Sequence, residues 1–153
     1  MAINRRVASQ PPEAVWAVLA DGWRYVEWVV GCRRIRSVDP GWPAPGTRFH
    51  HEIGIGLLRV QDHSESCEAD DGRRLVLRVR AWPAGEGRVT LTLTPTEDGG
   101  TVIEMEEVPT AGLARRLPSA PLEVAARVRN EVALRRLADA AARPGPPPSP
   151  GDA

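Results

Sequence analysis

The sequence predicts an α+β fold, a curved antiparallel sheet of six to seven strands wrapped around one long C-terminal helix. Three observations carry this. Between Thr47 and Glu106, short stretches alternate apolar and polar residues and are separated by turn-forming clusters, the signature of half-buried antiparallel strands. Residues 118–142 hold no Gly, and their prolines lie in the first turn, where a helix tolerates them. A sheet with one apolar face must be covered, and only this helix is long enough. At ~1.5 Å per residue it spans roughly 35 Å.

The elements follow in order. Ile3, Arg5 and Val7 mark a first strand. Ser9-Gln10-Pro11-Pro12-Glu13 is a helix start, with a cap candidate, early prolines and an acid in the first turn. That helix runs to about Ala20 with Val15, Trp16 and Leu19 on one face, and Asp21-Gly22 ends it. Residues 23–28 form a second short helix and 32–38 a strand, and the Pro/Gly-dense run 39–46 is a loop. In the strand at 47–53, Thr47, Phe49, His51 and Ile53 take the inward face. Gly54-Ile55-Gly56 is a bend. The strand at 57–68 alternates less cleanly, with Leu58 and Val60 marking its buried side. Asp70-Asp71-Gly72 signals a hairpin. Leu75, Leu77, Val79 and Ala81 then point inward, as do Val89, Leu91 and Leu93, and finally Ile103 and Met105. Trp82 falls at the sheet edge. Residues 1–142 are expected to form one domain, and the Pro/Gly-rich stretch 143–153 a disordered tail.

Bulk properties narrow the function. A chain of 153 residues buries a core without disulfides or metal. Twenty basic and twenty acidic residues cancel, which argues against a nucleic-acid or anionic-membrane surface. Every basic residue is Arg, read as codon bias in a GC-rich genome. Cys32 and Cys67 form no C-x-x-C and are expected as free thiols. The start shows no signal peptide and no stretch is apolar enough to span a bilayer, so a cytoplasmic protein without a membrane span is expected.

Among residues able to do chemistry, His51 stands out, being inward between Phe49 and Ile53. Such an imidazole could hydrogen-bond a ligand, move protons near neutral pH, or be satisfied within the core. At ~100° per residue, Ala126, Asn130, Leu134, Leu137 and Ala141 share one helix face. Asn130 is thus a polar group facing the sheet, needing a ligand, a carbonyl or water as partner. His63, Glu65 and Cys67 share a strand face, but the outer two lie ~13 Å apart, too far for one metal ion. His50 and His51 point to opposite faces. No metal or cofactor is expected. Trp28 could floor a cavity mouth. Arg78, Arg80, Thr90, Thr92, Glu104 and Glu106 read as a solvated outer ladder.

The long helix carries two stripes. Ala126, Ala133, Leu134 and Leu137 form the inner one, small first and bulky later, so a cavity is expected under the N-terminal half. Val124, Val128 and Val132 form another, nearly opposite. It must pack on the segment at 112–117 or on a partner chain, as in a possible homodimer.

Several stretches resemble the START-like (SRPBCC) superfamily, which includes the birch-pollen allergen and the polyketide cyclase/dehydrase proteins, and in particular its bacterial branch. They are Pro12-Glu13-Ala14-Val15-Trp16, Tyr25-Val26-Glu27-Trp28, Trp42-Pro43-x-Pro45-Gly46, Arg74-Leu75-Val76-Leu77, Gly100-Thr101, and Arg129-Asn130-x-x-x-Leu134-x-x-Leu137. The resemblance covers residues 2–142 and implies the helix-grip fold, with a site between sheet and long helix for lipids or polyketide-like aromatics. The expectation is a binder of a hydrophobic small molecule. Phe49, Leu77, Leu91 and Met105 would wall the site, contributing ~25 cal/mol per Å² buried. Trp28 and Ala126 would border it, and His51 and Asn130 would orient the ligand. Two alternatives stand beside this. One is a polyketide cyclase or dehydratase with His51 moving protons, which asks for a second inward titratable group near it. The other is a protein-interaction module.

Overall fold

The structure is a computed structural model describing residues 1–81, 85–112, 116 and 119–145. Seven strands form one antiparallel sheet: β1 (Ala2–Ala8), β2 (Cys32–Val38), β3 (Arg48–Ile55), β4 (Leu58–Asp70), β5 (Arg74–Ala81), β6 (Gly85–Pro95) and β7 (Thr101–Ala111). Their order across the sheet is β1-β7-β6-β5-β4-β3-β2. The chain from β2 to β7 is a meander, and β1 closes against β7. Between β1 and β2 lie α1 (Pro12–Leu19), a 3-10 turn (Gly22–Arg24) and α2 (Tyr25–Trp28). The long helix α3 runs over Ser119–Ala141. This is the α+β helix-grip arrangement.

Alternation holds where a strand has one wet face. Leu75, Leu77, Leu91, Leu93, Ile103 and Met105 are all buried inward. The Asp70-Asp71-Gly72 hairpin forms, with Gly72 at φ 76°, a conformation that favours Gly. The irregular β4 pattern has a structural cause. Its inward residues include Ser64 and Ser66, and a bulge near Cys67 shifts the register before Ala69 pairs with Leu75. One extra residue exchanges the faces, which no single alternation can fit. Leu58 is exposed at the β3–β4 tip, so burial of this strand starts later than Leu58 suggests. On the outer face, Val76 rather than a polar residue stands opposite Thr90. It is nonetheless buried.

The core joins α1, α2 and the C-terminal half of α3 to the inner sheet face. Leu134, Leu137 and Ala140 are fully covered, together with Val15, Val18, Leu19 and Tyr25. Arg24, itself buried, fastens this end of α3. Its Nη2 donates to the carbonyls of Ala140 (2.8 Å) and Arg143 (3.3 Å), and its guanidinium pairs with Glu27 at 3.1 Å. The N-terminal half of α3 follows β1 instead. Asn4 Nδ2 donates to the Arg127 carbonyl, Arg6 pairs with Glu131, and the N-terminal amine pairs with Glu123. Val124 and Val128 are 61% and 62% exposed in the single chain, and Val132 is half-buried. Trp82, most of the segment at 112–117 and the tail beyond 145 lie outside the described residues. Among the described residues no helix is long and apolar enough to cross a membrane.

Candidate functional site

Between the sheet and α2/α3 lies a cavity of about 150 Å³ with a mostly apolar wall. Trp28, Phe49, His51, Leu77, Met105 and Asn130 all line it. Leu91 is fully buried but packs in the core away from this wall, and Ala126 borders a second groove nearer the N-terminus of α3. The cavity therefore sits under the middle of α3, at Arg129, Asn130 and Ala133. The reason is visible in the packing: Leu134 and Leu137 fill the space beyond.

The floor is aromatic. Tyr25 and Phe49 have ring centroids 4.4 Å apart, Tyr25 and Trp28 4.9 Å, and Trp42 stands edge-on to Phe49 at 5.0 Å. The first two pairs are tilted and the third is edge-on, so none is the disfavoured face-to-face sandwich. Tyr25 Oη and Trp42 Nε1 donate to the same acceptor, the Leu19 carbonyl at the end of α1, at 2.9 and 3.2 Å. Trp28 Nε1 is also buried, but it has no partner among the described residues.

His51 reaches the wall because β3 alternation turns Phe49, His51 and Ile53 inward together. It is 4% exposed. Its Nε2 lies 3.3 Å from Ser64 Oγ, whereas its Nδ1 has no partner among the described residues. Burial lowers its pKa from 6.5 to about 4, outweighing the nearby Asp62 carboxylate. The ring is therefore neutral at pH 7. Asp62 stands opposite His51 in register, yet its Oδ1 accepts from the His63 backbone N–H at 2.8 Å. Cys32 also lines the cavity, and burial pushes its thiol pKa up.

A charged cluster closes one side. Glu107 lies two residues beyond Met105 on the same inward face and accepts from Asn130 Nδ2 at 2.9 Å and from Arg129. Asn130 Oδ1 accepts in turn from the Arg129 guanidinium at 3.4 Å. The buried amide thus finds its partner in a carboxylate of β7, rather than in the ligand, carbonyl or water expected from the sequence. The signal for it lies in the Met105–Glu107 spacing, one alternation step past the last inward residue assigned from the sequence, and in the Arg129-Asn130 pair. His63, Glu65 and Cys67 lie outside the cavity, with Glu65 held by Arg48 and Arg78. Among the described residues, no group of three or more His, Cys, Asp or Glu is placed to hold a metal ion.

A seven-stranded sheet gripping a long helix over an apolar cavity defines a START-like (SRPBCC) domain. The chain belongs to the polyketide cyclase/dehydrase and lipid transport family, whose model matches residues 4–142. No curated protein matches it. Among solved structures it is similar to MLL2253 of Mesorhizobium loti, with 23% identity, TM-score 0.68, and 94% and 98% of the two chains covered. It is also similar to CV1439 of Chromobacterium violaceum, with 21% identity, TM-score 0.68, and coverage of 93% and 96%. CalU16 of Micromonospora echinospora shares 21% identity at TM-score 0.63, over 91% of this chain and 74% of that one. At such identities the likeness is one of fold.

Proposed function

We propose that the protein binds a hydrophobic small molecule, lipid or polyketide-like, in the cavity between β3–β7 and α3. The observation that carries this is the pair of buried ring nitrogens, Trp28 Nε1 and His51 Nδ1, that have no partner among the described residues and sit on residues that wall one apolar cavity. A buried N–H without an acceptor costs about 1–3 kcal/mol. A ligand oxygen that meets the indole N–H removes that cost and gains orientation, while the apolar wall supplies affinity. Family membership supports the same class of ligand.

Proton transfer by His51 fits less well. Efficient acid–base groups have pKa values near the working pH, and this ring sits at about 4. Asp62, the titratable group opposite it, is turned to the His63 amide, and Glu107, the carboxylate on the same cavity wall, is taken up by Arg129 and Asn130. His51 and Trp28 serve here as orienting contacts, and we read the protein as a binder rather than a cyclase.

The test uses prodan, a fluorescent naphthalene with a short acyl ketone, alongside native mass spectrometry of the purified protein. Saturable one-to-one binding is expected, weakened roughly fivefold in His51→Leu and in Trp28→Phe by loss of about 1 kcal/mol each. An absence of saturable binding by the wild type, with no co-purifying small molecule, overturns the reading.

A further inference from the structure

The cavity has a neighbour. A groove of about 340 Å³ runs between the N-terminal half of α3 and the ends of β5–β7, with Leu122, Ala125 and Ala126 on one side and Gly87 and Pro109 on the other. It is mainly apolar. The two spaces share Val79, Glu107 and Arg129 as lining. The Arg129–Glu107 ion pair, steadied by Asn130, therefore stands at their junction.

We propose that cavity and groove are two compartments of one site, that the Arg129–Glu107 pair is the partition between them, and that the ligand is an elongated apolar molecule with a hydrogen-bonding oxygen part-way along its length. This rests on the small-molecule reading above. The physical case has three parts. Ala125, Ala126 and Ala133 leave α3 without bulk on both sides of Arg129, so a helix that plugs the core at Leu134 and Leu137 stands off the sheet here. The pair's groups differ in how easily they can move. Glu107 is 18% exposed, whereas the Arg129 side chain is 45% exposed and can swing into water without stranding its charge. Lastly, a chain passing the junction meets donors. Arg129 has five N–H groups and Asn130 two, and a ligand carbonyl or hydroxyl can take one while its apolar ends occupy the two compartments.

The experiment compares prodan with laurdan, which has the same fluorophore and ketone but a twelve-carbon acyl chain. Ala126→Trp fills the groove, and the laurdan-to-prodan affinity ratio should fall at least tenfold. Arg129→Met removes the partition's charge at nearly constant length, and the same ratio should rise several-fold. Circular dichroism and melting temperature confirm that each variant is folded, and the exposed position of Arg129 makes the second variant usable if the first does not fold. If prodan binds the wild type but neither substitution moves the ratio, the partition is wrong while the small-molecule reading stands. If neither probe binds the wild type, both fall.

Discussion

At the scale of single residues, His51 shows how position changes chemistry. An exposed imidazole titrates near 6.5, but burial in an apolar wall penalises the charged ring and brings it to about 4. The unfolded chain therefore takes up the proton first as pH falls. Stability is fully present above pH 6.5 and declines between 6.5 and 4, by on the order of 3 kcal/mol from this residue. Urea unfolding of wild type and His51→Leu at pH 7 and pH 4 checks this: the wild type should lose more stability than the variant by about that amount. Equal losses would mean the ring is not desolvated. The inward placement of His51 was legible because β3 alternates. The partner of Asn130 was not, because spacing along one element says nothing of which residue faces it from another. Glu107 supplies that partner through the distant pairing of β7 with α3.

At the scale of elements, α3 is held unequally. Its C-terminal half buries Leu134, Leu137, Ala140 and Ala141, and Arg24 caps its last carbonyls. Its N-terminal half leaves Leu122, Val124 and Val128 exposed and is tied by polar contacts to β1. Amide exchange should be slower at 131–141 than at 121–129, and uniform protection along the helix would contradict the asymmetry. Arg24→Met should lower stability by roughly 1–3 kcal/mol, since it leaves Glu27 unpaired and takes the donor from the Arg143 carbonyl, while the Ala140 carbonyl keeps the Arg143 N–H at 3.1 Å. Urea midpoints with an unchanged m-value are the readout. The stripe of small then bulky residues that announces this asymmetry is plain in the sequence. The clamp is not, because Arg24 lies more than a hundred residues away from its acceptors.

At the scale of the whole molecule, the element order and the covering helix followed from pattern alone, because a one-sided sheet leaves few ways to bury its apolar face. The strand that resisted was β4, where inward serines and a bulge break the period. These irregularities serve the site: Ser64 meets His51, and Ser66 donates to the Pro43 carbonyl at 2.6 Å, tethering the loop that carries Trp42. The end of the chain can be tested by truncation. Removing 146–153 should leave the melting temperature unchanged, since this Pro/Gly-rich stretch has little to bury. Removing 143–153 should lower it, because the Arg143 carbonyl accepts from Arg24.

The central claim is that a ligand enters this cavity and meets the idle donor on its wall. The five tryptophans give five indole N–H signals in a proton–nitrogen correlation spectrum, with Trp28 assigned by its loss in Trp28→Phe. On titration with prodan, the Trp28 signal should move downfield and saturate at one equivalent, while that of Trp42, already bonded to the Leu19 carbonyl, stays nearly still. Saturable prodan fluorescence with an unmoved Trp28 signal would place the ligand elsewhere and contradict the account.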